Sequence, residues 1–143
     1  MSLPITVKAD YKGKVRISTQ KGSQLEDYIT EYEREYLTKL INVEVYNDIK
    51  DTADPLPQKY LDLINGVQYT DDNGDLIDYK GAKDMLLRFI YAEYNADNFQ
   101  TSIGGNVRSV NENSTVLNAE NYVIVKQRYN EGGLIYMRIY ISF

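Results

Sequence analysis

Residues 23–40 read SQLEDYITEYEREYLTKL, and they predict a long amphipathic helix. Ser23 and Glu26 form a capping box, in which each side chain accepts a hydrogen bond from a free backbone N–H group at the helix start. Behind this cap an apolar stripe repeats at helical spacing: Leu25, Tyr28, Ile29, Tyr32, Tyr36 and Leu40. We expect the stripe to face a core, with the tyrosine hydroxyls at its rim. The charged residues fall on the other side: Glu31, Glu33, Arg34 and Glu35.

Two short helices are predicted after this one. The first covers residues 43–51 and turns its apolar residues inward. For the second, Asp54 suits the N-cap and Pro55 the first helical position, because proline has no N–H group to leave unpaired. Gly66 suits the end of that helix, since glycine adopts a positive φ angle at low cost.

A β-hairpin is predicted over residues 67–78. Asn73 and Gly74 suit a type I′ turn because both residues tolerate positive φ angles. The acidic turn also resembles a calcium-binding loop superficially. The EF-hand pattern requires glycine at its sixth position and glutamate at its twelfth, and Leu76 and Ala82 stand there instead. We therefore predict no metal site, and nothing in the sequence indicates a bound cofactor.

The next helix, over residues 79–98, is apolar around much of its circumference, which predicts a central position in the fold. Residues 99–117 are polar and contain no clear helical or strand pattern. A loop of this length in a compact domain is typical of a functional or disordered segment. Gly104 and Gly105 lack the Lys-Ser/Thr ending of a phosphate-binding loop and indicate a hinge or a tight turn.

Residues 118–143 permit two interpretations. Their composition is β-prone, and a hairpin could turn at residues 130–133. Their apolar and glycine positions nevertheless repeat every three or four residues: Tyr122, Val125, Tyr129, Gly132, Tyr136, Ile139 and Phe143. We predict a helix for this segment, with Gly132 allowing close approach of a neighbouring helix.

Residues 1–22 contain two β-rich stretches and are expected to form an extended arm, either as a small hairpin or paired with another chain. The fold class predicted is therefore mainly α: a small bundle of four to five helices with a short β-hairpin and an extended N-terminal arm. Residues 1–143 form one domain, in which residues 23–98 supply the helical core.

Composition points away from an enzyme. The chain has no histidine and no cysteine but 14 tyrosines. Histidine is the usual general base near neutral pH, whereas tyrosine is enriched at protein–protein interfaces. Carboxylate pairs such as Glu31 with Glu35 are not placed in an apolar cleft by any pattern, so we predict no catalytic residues.

Net charge and hydropathy restrict the classes of partner that this chain is expected to bind. The net charge is −5 at pH 7, and one basic cluster occurs near the N-terminus: Lys8, Lys12, Lys14, Arg16 and Lys21. We interpret this cluster as solvated or facing a partner rather than as a nucleic-acid site. No apolar run has the length of a membrane span, and no signal peptide is visible.

The order of the elements resembles the head–tail connector (adaptor) proteins of tailed bacteriophages, in particular forms from phages of gut Bacteroidetes. The resemblance rests on the extended start ending in residues 16–20, the capped helix over 25–42, the hairpin, the helix from Tyr79, and a polar loop that ends in Asn111-Glu-Asn-Ser before the last helix. These are helix patterns rather than catalytic motifs, and they extend over most of the chain.

The resemblance implies a non-enzymatic subunit of a ring of about twelve copies, built with cyclic symmetry, beneath the portal protein of a virion neck. Such a ring extends the DNA channel without binding DNA specifically, docks the next neck or tail protein, and assembles in the host cytoplasm. The long loop would contact the neighbouring subunit through these residues: Thr101, Ile103, Gly104, Gly105, Val107, Arg108, Asn111 and Asn113. The C-terminal segment would contact the portal through Tyr136, Arg138, Tyr140 and Phe143.

Two other functions remain open at this stage. The tyrosine stripes also suit a stand-alone cytosolic helical protein-interaction module, which would be a monomer or dimer and would not form rings. An enzyme that uses carboxylates or tyrosine is the third possibility, and a bell-shaped pH dependence of activity would identify it.

Overall fold

The computed structural model describes residues 1, 3–17, 22–99 and 119–142. Within them the protein is mainly helical, as predicted, and its four helices are α1 (Gly22–Asp51), α2 (Gln58–Asn65), α3 (Ala82–Phe99) and α4 (Ala119–Ser142). Strands β1 (Gly66–Thr70) and β2 (Leu76–Lys80) form an antiparallel hairpin between α2 and α3. Helix α3 is central, because α1, α2 and α4 all pack against it.

Helix α1 contains a kink at Asn42, whose φ of 67° and ψ of 167° are not helical. The Asn42 Oδ1 atom accepts a hydrogen bond from the Val45 N–H group at 3.0 Å. An N-cap residue satisfies the start of a helix in the same way. The kink therefore joins two helical segments end to end, in agreement with the separate helix predicted over residues 43–51. Ile49 faces inward as predicted, but Val43 is 53% exposed, so the inward orientation predicted for it is wrong.

Helix α2 begins later than the sequence predicted. Asp54 and Pro55 precede the helix, and Pro57 occupies the N-cap position before Gln58. The connection has to bury Leu56 before the helix starts, so the predicted N-cap at Asp54 is wrong. Gly66 ends the helix as expected, with a φ of 84°.

The hairpin forms, but its turn is not the predicted type I′. Gly74 has a φ of 85°, whereas Asn73 is not among the described residues with a positive φ. The Gly74 N–H group donates to the Asp71 carbonyl at 3.0 Å, and the Asp71 carboxylate accepts from two further N–H groups of the turn at 2.9 Å. The Asp71 side chain thus holds a longer loop in place of the two-residue turn.

The two remaining helices differ in how well they match expectation. Helix α3 starts at Ala82 because Tyr79 belongs to β2, where its side chain is buried. Helix α4 confirms the helical interpretation of the C-terminal segment and continues through Gly132 and Gly133. A Cβ atom on Gly132 would lie 3.1 Å from the ring of Phe89, so this glycine allows α4 to pack closely against α3.

The N-terminal segment corrects the prediction of an extended arm. Residues 3–17 form no strand. They contain two short 3-10 turns, Lys8–Asp10 and Gly13–Val15. Four apolar side chains of this segment are buried: Ile5, Tyr11, Val15 and Ile17. The described part of the segment is therefore a component of the core, because burying these side chains outweighs pairing as an exposed strand.

Candidate functional site

Aromatic rings form a continuous series across α1, α3 and α4. Neighbouring ring centroids lie 4.3 to 6.5 Å apart along the series Tyr28, Tyr32, Tyr36, Phe89, Tyr136 and Tyr140. The closest pair is Tyr36 and Phe89, whose rings are stacked at 4.3 Å. The Tyr36 hydroxyl donates to Glu93 at 2.6 Å, and burial together with this hydrogen bond raises the pKa of the hydroxyl. The tyrosine stripe of α1 is thus packed against the core with a hydroxyl satisfied at its rim, as predicted.

A charged cluster fixes α4 to its neighbours. Glu131 on α4 bridges Arg88 on α3 and Arg128 on α4, the latter at 2.5 Å. Arg128 also donates to the backbone carbonyl of Lys14 at 3.0 Å. Arg88 is largely buried and forms a second ion pair with Asp84 at 3.4 Å. These contacts hold α4 in one orientation relative to α3 and to the N-terminal segment.

Glu33 holds the N-terminal segment on α1, a role that the sequence did not predict. We expected Glu33 on the solvent side, but its side chain is only 2% exposed. Its Oε1 atom accepts from the Ile5 N–H group at 2.5 Å and from the Thr6 N–H group at 3.3 Å. Burial raises the pKa of Glu33 to about 7, and the two backbone hydrogen bonds oppose that rise.

The C-terminal half of α4 presents apolar side chains outward. Leu134 is 69% exposed, Met137 52% and Tyr140 61%. The spacing of three residues places them on one side of the helix, opposite the buried Ile135 and Ile139. We call these three residues the outer face of α4. Scattered exposed apolar residues are ordinary, but a contiguous group on a rigidly held helix is typical of an interaction site.

A cleft of about 490 Å³ lies beside the outer face. It is formed by the kink of α1, by α2 and by the end of α4, and we refer to it as the cleft. Its apolar lining consists of Leu40, Ile41, Val45, Leu63 and Ile139, with the rings of Tyr60 and Tyr140. Two lysines, Lys39 and Lys59, complete it together with Asn42.

The predicted site residues separate into two groups. Those of the long loop, Thr101, Ile103, Gly104, Gly105, Val107, Arg108, Asn111 and Asn113, lie outside the described residues, as does Phe143. Of the predicted portal contacts, Tyr136 is half-buried and donates to the Lys39 carbonyl at 3.3 Å. Tyr140 belongs to the outer face and Arg138 is exposed beside it, so a partner can reach both side chains.

Two of the acidic residues that the sequence singled out, Glu35 and Asp71, have structural partners. Glu35 pairs with Lys39 at 3.1 Å, and Asp71 accepts backbone hydrogen bonds within the hairpin turn. In the part of the chain that the structure describes, no three His, Cys, Asp or Glu residues form a group that could hold a metal ion.

Comparison with models of protein families, with curated proteins and with solved structures found no match to this chain. Among the helices of the described residues, none combines the length and the apolar character that a membrane span requires.

Proposed function

We propose that this chain is a non-enzymatic structural subunit of a bacteriophage head–tail connector. In this role, copies form a ring that extends the DNA channel of the portal protein and docks the next neck or tail protein. The ring is part of the virion neck, assembles in the host cytoplasm and requires no cofactor. The order of helices and hairpin, which resembles that of connector proteins, supports the proposal.

The observation that carries the proposal is the outer face of α4. Leu134, Met137 and Tyr140 remain exposed although α4 itself is held rigidly by the Arg88–Glu131–Arg128 cluster. Burial of apolar surface is the dominant favourable contribution to most protein–protein association. A rigid helix with unburied apolar side chains therefore suits a subunit whose final partners are other proteins.

The net charge of −5 is compatible with a DNA channel. Affinity for DNA comes mainly from lysine and arginine side chains that neutralise phosphates. A channel wall through which DNA slides has to avoid tight binding, so an acidic subunit suits this position better than a basic one. Arg138, next to the outer face, is left as a candidate for the portal contact.

Native mass spectrometry over a concentration series, with negative-stain images of the same sample, tests the proposal. We expect a closed ring, with about twelve copies as the count that the resemblance implies and that cyclic symmetry permits. A monomer or dimer at every concentration, also in the presence of portal protein, would contradict it. That result would favour the stand-alone interaction module, for which the cleft offers a suitable groove.

A further inference from the structure

We propose that the hairpin tip of one copy inserts into the cleft of a neighbouring copy, so that this contact repeats around the ring. The hairpin tip consists of residues 69–77. The inference rests on the proposed function where it concerns the ring, but the contact itself is argued from two surfaces of the chain. The hairpin tip is mostly exposed, and the lining of the cleft combines exposed residues such as Lys59 and Tyr140 with buried apolar ones such as Leu63 and Ile139.

The hairpin tip carries apolar side chains on both of its faces. Tyr69 is 46% exposed and stands opposite Ile77, while Leu76 is 68% exposed and stands opposite Thr70. Because successive side chains of a strand alternate, Tyr69 and Leu76 point to opposite faces. A flat partner would cover only one of these faces. A cleft with walls on two sides covers both, so the tip is suited to insertion.

The distal half of the hairpin would also be stabilised by packing against a partner. Its base is anchored, since Tyr79 is buried and a Cβ atom on Gly81 would lie 2.2 Å from the Ile64 carbonyl oxygen. The distal half consists of two strands, which together form the only sheet of the described residues. An isolated two-stranded hairpin is marginally stable in water. Contact on both faces of the tip would supply the packing that the single copy does not provide.

The walls of the cleft match the apolar part of the tip. Leu40, Ile41 and Leu63 line its interior, and Tyr140 of the outer face forms one border. Asn42 also lines it, in a backbone conformation that a residue other than glycine rarely adopts. Such strained positions tend to occur at binding sites, where the surrounding structure holds them in place.

The opposite charges of the cleft and of the hairpin turn favour the hairpin as the occupant of the cleft. Among the described residues that line the cleft, the charged ones are Lys39 and Lys59, although the chain as a whole carries a charge of −5. Lys39 is paired with Glu35 at 3.1 Å, whereas Lys59 lies over the Tyr60 ring and forms no ion pair within the described residues, so Lys59 is the cation open to a partner. The turn of the hairpin contains Asp71, Asp72 and Asp75. Asp71 is engaged by the backbone of the turn, whereas Asp72 is exposed and makes no hydrogen bond or ion pair within the described residues.

The tip and the cleft belong to one chain but do not meet within one copy. None of the described residues that line the cleft comes from the hairpin. The contact therefore joins two different surfaces of successive copies, which is a heterologous contact, and such contacts close into a ring when the rotation between copies permits. Tyr140 then serves the contact between copies, which refines the sequence-based expectation that it touches the portal.

Disulfide trapping tests the contact. The chain has no cysteine, so introduced thiols have no native background. Two single variants, Asp72→Cys and an affinity-tagged Lys59→Cys, are mixed and oxidised, and the mixed disulfide is quantified on a non-reducing gel. The matched control mixes Asp51→Cys with Lys59→Cys, because Asp51 is an exposed acid at the end of α1. We expect the mixed disulfide to accumulate for the first pair and not for the control.

Charge exchange provides a second measurement on the full chain. Asp72→Lys and Lys59→Glu should each weaken self-association about two- to tenfold in sedimentation experiments, the range that an exposed ion pair and its reversal account for. The double variant should recover the loss, since it restores opposite charges. Asp51→Lys, which changes charge by the same amount elsewhere, should have no effect.

The outcomes separate this inference from the proposed function. Equal trapping in the two mixtures, with no recovery in the double variant, would overturn the hairpin contact and would mean that another occupant fills the cleft. If rings are nevertheless seen, the connector proposal survives without this contact. Selective trapping without rings at any concentration would support the contact and would contradict the connector.

Discussion

Glu33 shows how one buried residue links two parts of the chain. It follows Leu25 and Ile29 at intervals of four residues and precedes Leu37 by four, so it occupies the core-facing side of α1. Its carboxyl group accepts the backbone N–H groups of Ile5 and Thr6. The N-terminal segment is therefore fastened to α1 by a group whose charge depends on pH.

We predict that stability falls as pH rises from 4.5 to about 7 and then levels off. The pKa of Glu33 is raised from 4.5 to about 7, so the folded state binds a proton that the unfolded state releases between these values. The stabilisation is complete below pH 4.5 and is lost above pH 7, with a total of about 3 kcal/mol at roughly 1.4 kcal/mol per pKa unit. The pKa values of the nearby Tyr11 and Tyr46 are raised, so both stay uncharged.

Urea denaturation between pH 5.5 and 8.5 measures this effect. Glu33→Gln should show a flatter dependence of the free energy of unfolding on pH than the original chain. Glu31→Gln, an exposed carboxylate two residues away, serves as the control and should keep the original slope. Parallel curves for the original chain and Glu33→Gln would show that Glu33 does not titrate in this range.

The two adjacent glycines of α4 permit a second test at the residue scale. Replacing either by alanine favours the helix by up to about 1 kcal/mol. A Cβ atom on Gly133 meets nothing within 4 Å, but one on Gly132 lies 3.1 Å from Phe89, which is stacked on Tyr36 and has little room to move. Gly133→Ala should therefore stabilise the protein, while Gly132→Ala should be less stable than it by about 1–3 kcal/mol because of overpacking.

Thermal and urea denaturation of the two glycine variants give this difference directly. Both variants gain the same helix propensity, so this gain cancels when their free energies of unfolding are subtracted. The difference that is left measures the cost of the contact between α4 and α3. Equal stabilities would mean that the two helices separate at Gly132 without loss of packing.

At the scale of elements, α4 depends on the charged cluster as well as on apolar packing. Ile139 is fully buried and Ile135 is nearly so, which accounts for the helix lying on the core. Glu131, Arg88 and Arg128 fix the orientation of α4 on the core, because charge-assisted hydrogen bonds have strict geometry. Arg88 is the most buried member, with 11% of its side chain exposed, and it loses one of its two carboxylate partners if Glu131 is removed.

We predict that Glu131→Gln lowers the free energy of unfolding by about 2–3 kcal/mol, since it leaves a buried cation poorly compensated. Adding Arg88→Met should recover part of the loss, because the uncompensated charge is then absent. Lys39→Gln breaks an exposed ion pair with Glu35 and should cost less than about 1 kcal/mol. A loss for Glu131→Gln no larger than that for Lys39→Gln, measured in urea, would contradict this account.

At the scale of the whole molecule, stability and assembly draw on different residues. The core lies among α1, α3 and α4 and includes the N-terminal segment. The outer face of α4, the hairpin tip and the exposed residues of the cleft such as Lys59 lie at its surface and contribute little to holding one copy together, whereas the buried lining of the cleft, such as Leu63 and Ile139, belongs to the core. Substitutions at these surfaces are therefore able to separate folding from assembly.

We predict that the double variant Leu134→Gln with Met137→Gln keeps the stability of the single copy within about 0.5 kcal/mol, the usual range for exposed positions. Assembly, measured by native mass spectrometry, should be lost, because the variant removes apolar area from the outer face. Val123→Gln provides the matched control, since Val123 is equally exposed near the start of α4. Rings that persist in the double variant would exclude the outer face as an assembly surface.

Local sequence patterns determined the mainly helical fold class, the hairpin and the close packing of α4 at Gly132. Spacings of three and four residues suffice for this, because they reflect the period of the helix itself. Residues 118–143 have a β-prone composition, but their helical spacing correctly indicated that α4 is a helix. Gly66 ends α2 because the residue at that position needs a positive φ angle. These features depend on neighbours in the chain.

Only the tertiary structure decided the features that depend on distant residues. The N-terminal segment became part of the core because α1 and α3 offered an apolar surface and Glu33 offered an acceptor, neither of which is visible in residues 3–17. The Arg88–Glu131 pair spans 43 positions, and the cleft requires α1, α2 and α4 together. Burial and pairing across such separations follow from packing, and packing is not encoded in any local period.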